Sequence, residues 1–398
     1  MPFNTNLEGY NVTRNLWLKF WDGNGKYFRS NEGCNGQINE KFNVWSVSVA
    51  VQAIVDGCRI YPKEMLPMLE LAMENLFKYR SPQFHGYCAA ENFDGNKDIY
   101  YDDDAQVASA IITAYEVSGN KKYLDAGRDL VRFLMGGYVD DPNAGCGGGM
   151  LWHMERDYVN ACTTAECAKA ALQLAKFIPE EQKDYVDYAR KCIQWQLDHL
   201  QDKDDKLIYD GVGKDGQGVN TTKWSYNAGT TLSALSLLYS FEQKDEWFRA
   251  ASDLAVSICS PGYTLYDRDY PNDEKRFWRD PSYFIQLVIE GLADYMLYFG
   301  DKADKGAVER INREVPKHLV YFNKYCLDKS DGLYWQSFEI FTINEEVYKR
   351  YKEEFGGHKG YSANREERGH DDKCVKSLIG SGAAARIFYQ GARIAPQL

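Results

Sequence analysis

Most specialised classes of protein leave a mark that this sequence does not carry. Its 398 residues hold 58 acidic side chains against 47 lysines and arginines, a formal charge of −11. Nucleic acids and anionic membranes are held by clustered cations, so this balance argues against both as partners. No apolar run approaches the ~20 residues that a membrane-spanning helix needs. The ten cysteines form no CxxC pair and no zinc-type repeat,. Cys162 and Cys167 share one predicted helix but stand too far round it to bond each other, so reduced thiols in a reducing compartment are expected. The opening residues, Met1-Pro2-Phe3-Asn4-Thr5-Asn6, show neither the basic nor the apolar region of a secretion signal,. A cytoplasmic location is the expectation for the sequence as it stands; secretion stays open if a leader was removed.

Motifs for metal, phosphate and acyl chemistry are missing too. There is no GxSxG around a serine nucleophile. Gly145-Cys146-Gly147-Gly148-Gly149 is no phosphate loop, because no Lys-Ser/Thr follows and Met150 stands where the last glycine of GxGxxG would be,. Glycines there let the backbone approach either a ligand or another part of the chain. Asp202-Lys203-Asp204-Asp205-Lys206 fails as a calcium loop, since Lys206 and Leu207 replace a ligand and the required glycine,. His85 and Cys88 lack a second ligand pair, so no metal and no cofactor are expected.

What is present is helical periodicity. Apolar residues recur at helix spacing over 7–19, 43–59, 64–79, 103–117, 122–135, 158–177, 181–200, 224–241, 245–259, 282–299, 305–325 and 374–394,. A glycine or lysine followed by apolar and aromatic residues also returns six times, marked by Tyr27, Tyr87, Trp152, Tyr209, Tyr266 and Trp335. The markers are 57 to 69 residues apart. Each step holds two helices and one aromatic loop, the signature of stacked units that share a core. Six helical hairpins can close into a double ring, the (α/α)6 barrel. The open-solenoid alternative needs polar capping repeats, and none is seen. No domain boundary interrupts residues 1–398. One charged, glycine-containing excursion spans about 342–373, either a solvated loop with a short helix or a lid.

The barrel would bring all inner-helix N-termini to one mouth. There stands Tyr100-Tyr101-Asp102-Asp103-Asp104, directly before the helix that starts near 103. Acidic residues at a helix start are ordinary caps. Three adjacent acids also repel one another and raise at least one pKa. Neighbours on a helix point ~100° apart, so two adjacent carboxylates can approach one small centre from different sides. Cleavage of glycosidic bonds uses such a pair. Near the same mouth fall Trp152, behind the glycines, then Tyr158-Val159-Asn160-Ala161 and Trp224-Ser225-Tyr226-Asn227-Ala228-Gly229. Each asparagine either starts its helix or faces a ligand, and Trp152 either stacks on a sugar or plugs the barrel. Amides and aromatic faces around two acids suit carbohydrate.

Tyr101-Asp102-Asp103, the glycine cluster leading to Met150-Leu151-Trp152, and the segments at 158–161 and 224–229 occur in the order seen in glycoside hydrolase family 76. The chain resembles these α-1,6-mannanases and their fungal cell-wall relatives over about residues 40–300. The resemblance implies an (α/α)6 barrel and a retaining mechanism without metal, with Asp102 as nucleophile and Asp103 as acid/base. Asp104 is then a local addition. Tyr101, Trp152, Asn160, Trp224, Tyr226 and Asn227 are expected to hold the sugar. An α-mannan polysaccharide or oligosaccharide cut internally by a monomer is the expected reaction. A transglycosylase, an unsaturated-uronyl hydrolase and a non-catalytic glycan-binding barrel are the alternatives. The chain departs from the family at Gln106-Val107, where a tryptophan is common, at Thr163-Thr164, where an asparagine is often found, and at Phe277-Trp278-Arg279-Asp280, where the family has Phe-Lys-Gly.

Overall fold

Six of the helices are buried on every side, and that decides the architecture. In the computed structural model, which describes residues 3–32, 43–90, 95–356, 358–362 and 375–398, α2 (Asn43–Cys58) buries all but one of its residues. Such a helix belongs inside a core, whereas a helix with one apolar stripe belongs on its surface. The same all-round burial marks α4 (Tyr101–Ser118), α6 (Ala161–Ala175), α8 (Ser225–Glu242), α10 (Ser282–Phe299) and α13 (Leu378–Ala392). The one-sided helices are α1 (Thr5–Phe20), α3 (Pro62–Phe77), α5 (Lys121–Met135), α7 (Gln182–Leu200), α9 (Asp245–Ile258) and α11 (Lys305–Cys326).

The two sets alternate along the chain and form two rings. Each inner helix packs on the next, and α13 packs back on α2 to close the circle. The fold is the expected (α/α)6 barrel. Small residues make the tight inner ring feasible. A Cβ on Gly291 would meet the Gly229 carbonyl oxygen at 2.3 Å, so α8 and α10 touch backbone to backbone,. The chain ends tie the ring shut: the Phe3 N–H donates to the Leu398 carbonyl at 2.8 Å, and the Thr5 hydroxyl to that of Ala395 at 2.7 Å.

The six aromatic loops are six short antiparallel pairings, one after each outer helix. β1 (Trp21–Asp22) pairs with β2 (Tyr27–Phe28), and β5 (Leu327–Asp328) with β6 (Leu333–Tyr334). Single bridges join Arg80 to Tyr87, Tyr138 to Met150, Gln201 to Ile208 and Tyr266 to Trp278. One expectation needs correction. Residues 158–160 are not helical: β3 (Tyr158–Asn160) pairs with β4 (Gly211–Gly213), and α6 starts at Ala161 because Asn160 caps it, accepting the Thr163 N–H at 3.0 Å. The charged excursion contains a short helix, α12 (Glu345–Phe355), as one of its two readings had it. Its buried face, Val347, Tyr351 and Phe355, packs on Tyr270 and Tyr321. Gly357 and residues 363–373 of that excursion lie outside the described residues, as do Cys34 and Cys374. The eight described cysteines form no disulfide with one another and are buried.

At the mouth formed by the inner-helix C-termini lies a cavity of about 470 Å³. Its charges are paired with one another. Arg386 reaches Asp56 at 3.2 Å and Glu290 at 2.9 Å, Lys169 reaches Glu290 at 2.7 Å, and Arg393 reaches Asp294 at 2.7 Å. No described helix is long and apolar enough to cross a membrane.

Candidate active site

The opposite mouth, where the inner helices begin, holds a cleft of about 390 Å³. α4 delivers the acids to it. The residue before α4 is Tyr100, whose side chain makes no capping bond. The helix start is instead anchored by the Tyr101 N–H, which donates to the Trp152 carbonyl at 2.9 Å. None of the three aspartates is therefore the N-cap. They stand within the first turn, and they point in different directions.

Asp102 and Asp103 line the cleft, half-buried. Asp104 is fully buried behind them, accepting the Tyr87 N–H at 2.9 Å. The two cleft acids differ in environment. Asp102 Oδ2 accepts the indole N–H of Trp152 at 2.9 Å, and its Oδ1 accepts the Asp103 backbone N–H at 2.9 Å. No described residue hydrogen-bonds the Asp103 carboxyl. Burial pushes the Asp102 pKa up to about 6, against the two donors, which hold it down,. Burial pushes Asp103 well above the usual carboxylate range, with the charges of Asp102, Asp104 and Glu166 adding to the effect. Neighbouring carboxyls whose environments drive their pKa values apart are suited to opposite tasks, one ionised and one protonated.

Around them stand aromatic faces. Trp45 comes from the start of α2, Trp152 and Tyr158 from the loop before α6, Trp224 and Tyr226 from the start of α8, and Phe284 from α10. Tyr226 packs on Phe284 with ring centroids 4.1 Å apart. Among the described residues that line the cleft there is no lysine or arginine.

The structure sorts the residues singled out from sequence. Asp102, Asp103, Trp152, Asn160, Trp224 and Tyr226 meet at the cleft. Trp152 also orients Asp102, a role the sequence did not suggest. Tyr101 does not face the cleft: its ring is buried and stacks on Phe133 of α5, centroids 5.3 Å apart, because its place on the helix turns it outward from the barrel axis. Asn227 is fully buried beneath the cleft, its amide N–H donating to Asp210 at 3.4 Å. Asn160 reaches the cleft edge, but its oxygen caps α6 and its amide N–H donates to the Asp210 carbonyl at 3.3 Å. Both asparagines thus build the surroundings of a residue that sequence reasoning missed.

Asp210 lines the cleft and accepts the Tyr158 hydroxyl at 2.7 Å and the Asn220 amide at 3.1 Å. It directly follows Tyr209, the aromatic marker of the fourth loop, which was the available signal. The glycine cluster packs on its own chain: Gly147, Gly148 and Gly149 have φ of 68°, 136° and 83°, and a Cβ on Gly149 would lie 2.5 Å from the Trp195 ring. In the rejected calcium loop, Asp202 and Asp205 hold the Lys223 ammonium at 2.6 and 2.7 Å. Among the described residues no group of three or more His, Cys, Asp and Glu side chains is arranged to hold a metal ion.

Comparison with known proteins points the same way. A curated protein of Schizosaccharomyces pombe, "Meiotically up-regulated gene 191 protein", is 28% identical, covering 97% of this chain and 92% of its own. A family 76 α-mannanase of Bacteroides thetaiotaomicron superposes with a TM-score of 0.75 at 19% identity, over 98% of this chain and 96% of that one. An α-1,6-mannanase variant of Salegentibacter sp. HEL1_6, inactivated at two consecutive aspartates and bound to α-1,6-mannotetrose, gives 0.75 at 17% identity, over 99% of this chain and all of that one. The sequence profile described as Glycosyl hydrolase family 76 matches residues 6–314. The chain belongs to that family.

Proposed function

We propose that this glycoside hydrolase cleaves α-1,6-mannosidic linkages within mannan with retention of configuration. The observation that carries the reading is the asymmetry of the two cleft carboxyls. Asp102, held by two donors, is the one more readily ionised at neutral pH and is the nucleophile. Asp103, with no donor and a strongly raised pKa, keeps its proton and is the acid/base. That the α-1,6-mannanase of Salegentibacter is inactive when two consecutive aspartates are replaced supports the pair.

In the first step Asp102 attacks the anomeric carbon while Asp103 gives its proton to the departing glycosidic oxygen. A mannosyl ester of Asp102 results. In the second step Asp103, now a carboxylate, takes a proton from water, which attacks the same carbon and frees Asp102. Trp152, Trp224 and Tyr226 give apolar faces to the sugar rings. The described lining, which has no lysine or arginine, favours a neutral glycan over a uronic acid.

The test is product analysis. α-1,6-Mannotetraose incubated with the protein should yield shorter oligosaccharides, with the new reducing end first seen as the α-anomer by NMR. A first-formed β-anomer would refute retention. Products longer than the substrate would mean that sugar replaces water as acceptor. No cleavage of α-1,6-linked substrate alongside cleavage of another α-mannoside would refute the linkage.

A further inference from the structure

Gln106 lies one helical turn below the acids, four residues after Asp102 and three after Asp103, so it shares their face of α4. It is on the cleft floor and almost fully buried. Its amide is clamped from both sides. The indole N–H of Trp45, on α2, donates to Gln106 Oε1 at 3.1 Å. Gln106 Nε2 donates to Glu166 Oε1, on α6, at 3.1 Å. An indole N–H can only donate, so the amide oxygen must face Trp45 and the amide nitrogen must face Glu166. Glu166 is buried, and its only described hydrogen-bond donor on Oε1 is Gln106. One N–H of Gln106 remains, and no described residue accepts it. A buried donor left unmade is costly, so a partner is to be expected in the open space beside it.

Resting on the carbohydrate reading of the cleft, we infer that Gln106 is a specificity-determining residue, whose free amide N–H, fixed by Trp45 and Glu166, donates to a hydroxyl of the bound mannoside. At this depth in the cleft the chain offers a directed hydrogen-bond donor. An amide distinguishes an oriented hydroxyl from its absence far better than a flat apolar surface does. Glu166 and Trp45 are positioning residues: they fix which way the amide faces. Glu166 can accept through Oε1 whether ionised or protonated, more strongly when ionised, so either form keeps the amide facing the same way.

The experiment measures kcat and KM on α-1,6-mannotetraose for wild type, Gln106→Met, Glu166→Met, Glu166→Gln and the double variant Gln106→Met/Glu166→Met, each checked by thermal melting. Loss of one hydrogen bond to a neutral sugar should raise KM by about 5- to 10-fold. Gln106→Met and Glu166→Met should show the same rise, and the double variant no more than either, because all three lose one bond. Glu166→Gln keeps an acceptor and should stay near wild type, which a merely structural role does not require. If Glu166→Met does not fold, Trp45→Phe, which removes the other side of the clamp, should give the same rise. Unchanged KM in Gln106→Met, with wild type active, overturns this inference alone. A wild type that neither cleaves nor binds the oligosaccharide overturns the functional reading, and this inference with it.

Discussion

The bond from Trp152 to Asp102 sets where the protein can work on the pH scale. Trp152→Phe keeps an aromatic face in the cleft and removes only the N–H. The indole donates to Asp102 Oδ2 at 2.9 Å and favours the ionised carboxylate. A hydrogen bond to a charged group contributes ~1.5–3 kcal/mol, which converts to about one to two pKa units. The cleft is open, and water replaces part of the lost donor, so the lower end applies. The Asp102 pKa, about 6 in the native protein, should rise by about one unit.

The sign follows from the chemistry. A nucleophile must be ionised, so the acidic limb of kcat/KM tracks Asp102 and should move to higher pH in the variant. The basic limb tracks loss of the Asp103 proton and should stay in place. At pH 6 the reactive form falls from about half to about a tenth, roughly a fivefold loss; near pH 8 the difference almost vanishes. The assay is a pH–rate profile of kcat/KM on α-1,6-mannotetraose for both proteins. The shape of the profile is read rather than its height, because stacking on the sugar also changes. A uniform drop with both limbs unmoved would show that Trp152 serves the sugar and not Asp102. An acidic limb moved to lower pH would refute the reasoning outright.

The acids themselves should respond in different ways. Asp102→Asn should abolish turnover on every substrate, whereas Asp103→Asn should retain part of the first step on an activated aryl α-mannoside and be rescued by azide with a retained product; a folded, fully active Asp102→Asn protein would sink the assignment. Arg386→Met removes the buried guanidinium that joins Asp56 and Glu290 (3.2 and 2.9 Å), leaving Asp56 to Arg59 and Glu290 to Lys169, and should lower unfolding stability by ~1–3 kcal/mol in urea titration, with no measurable loss refuting it. Burial holds Asp104 protonated to higher pH than an unfolded aspartate, so the folded state binds the proton more tightly and its stability contribution is lost as pH rises,. Thermal melts should therefore fall from pH 5 to pH 8, and Asp104→Asn, which still accepts the Tyr87 N–H, should flatten that slope; an unchanged slope would clear Asp104 of the effect.

Much of this was legible in the sequence because local physics decides it. The inner helices read as apolar on every face and the aromatic loops recurred with each hairpin, which is enough to close a ring. What was missed depends on residues far apart in the chain. Tyr158-Val159 continued an apolar pattern into α6, and only pairing with Gly211–Gly213, some fifty positions on, makes it a strand. Asp210 is a lone acid in a turn, and its importance comes from Tyr158, Asn160, Asn220 and Asn227 converging on it. Tyr101 was misplaced by one step of helix phase, since the residue beside a cleft aspartate turns to the outer ring. The short helix of the charged excursion was readable, but that its stripe Val347, Tyr351, Phe355 is buried was masked by the surrounding charges.

The barrel's charge arrangement follows from the direction of its inner helices. All six begin at the cleft mouth, so their exposed N–H groups and partial positive ends gather there. Asp102, Asp103 and Asp210 stand in that field. All six end at the other mouth, where Arg59, Lys176, Arg386 and Arg393 line the cavity together with Asp56, Glu116, Glu290 and Asp294. Acids at N-termini are the stabilising arrangement for any helix. The field alone would leave every acid at the cleft ionised. Burial opposes it, and the outcome is settled by which carboxyl has donors: Asp102 has two and Asp103 has none among the described residues. The same helix start thus supplies an acid that readily ionises and an acid that keeps its proton, although the two are adjacent in sequence. Substituting the donors of Asp102, rather than the acids, is therefore the direct way to move the working range of this site.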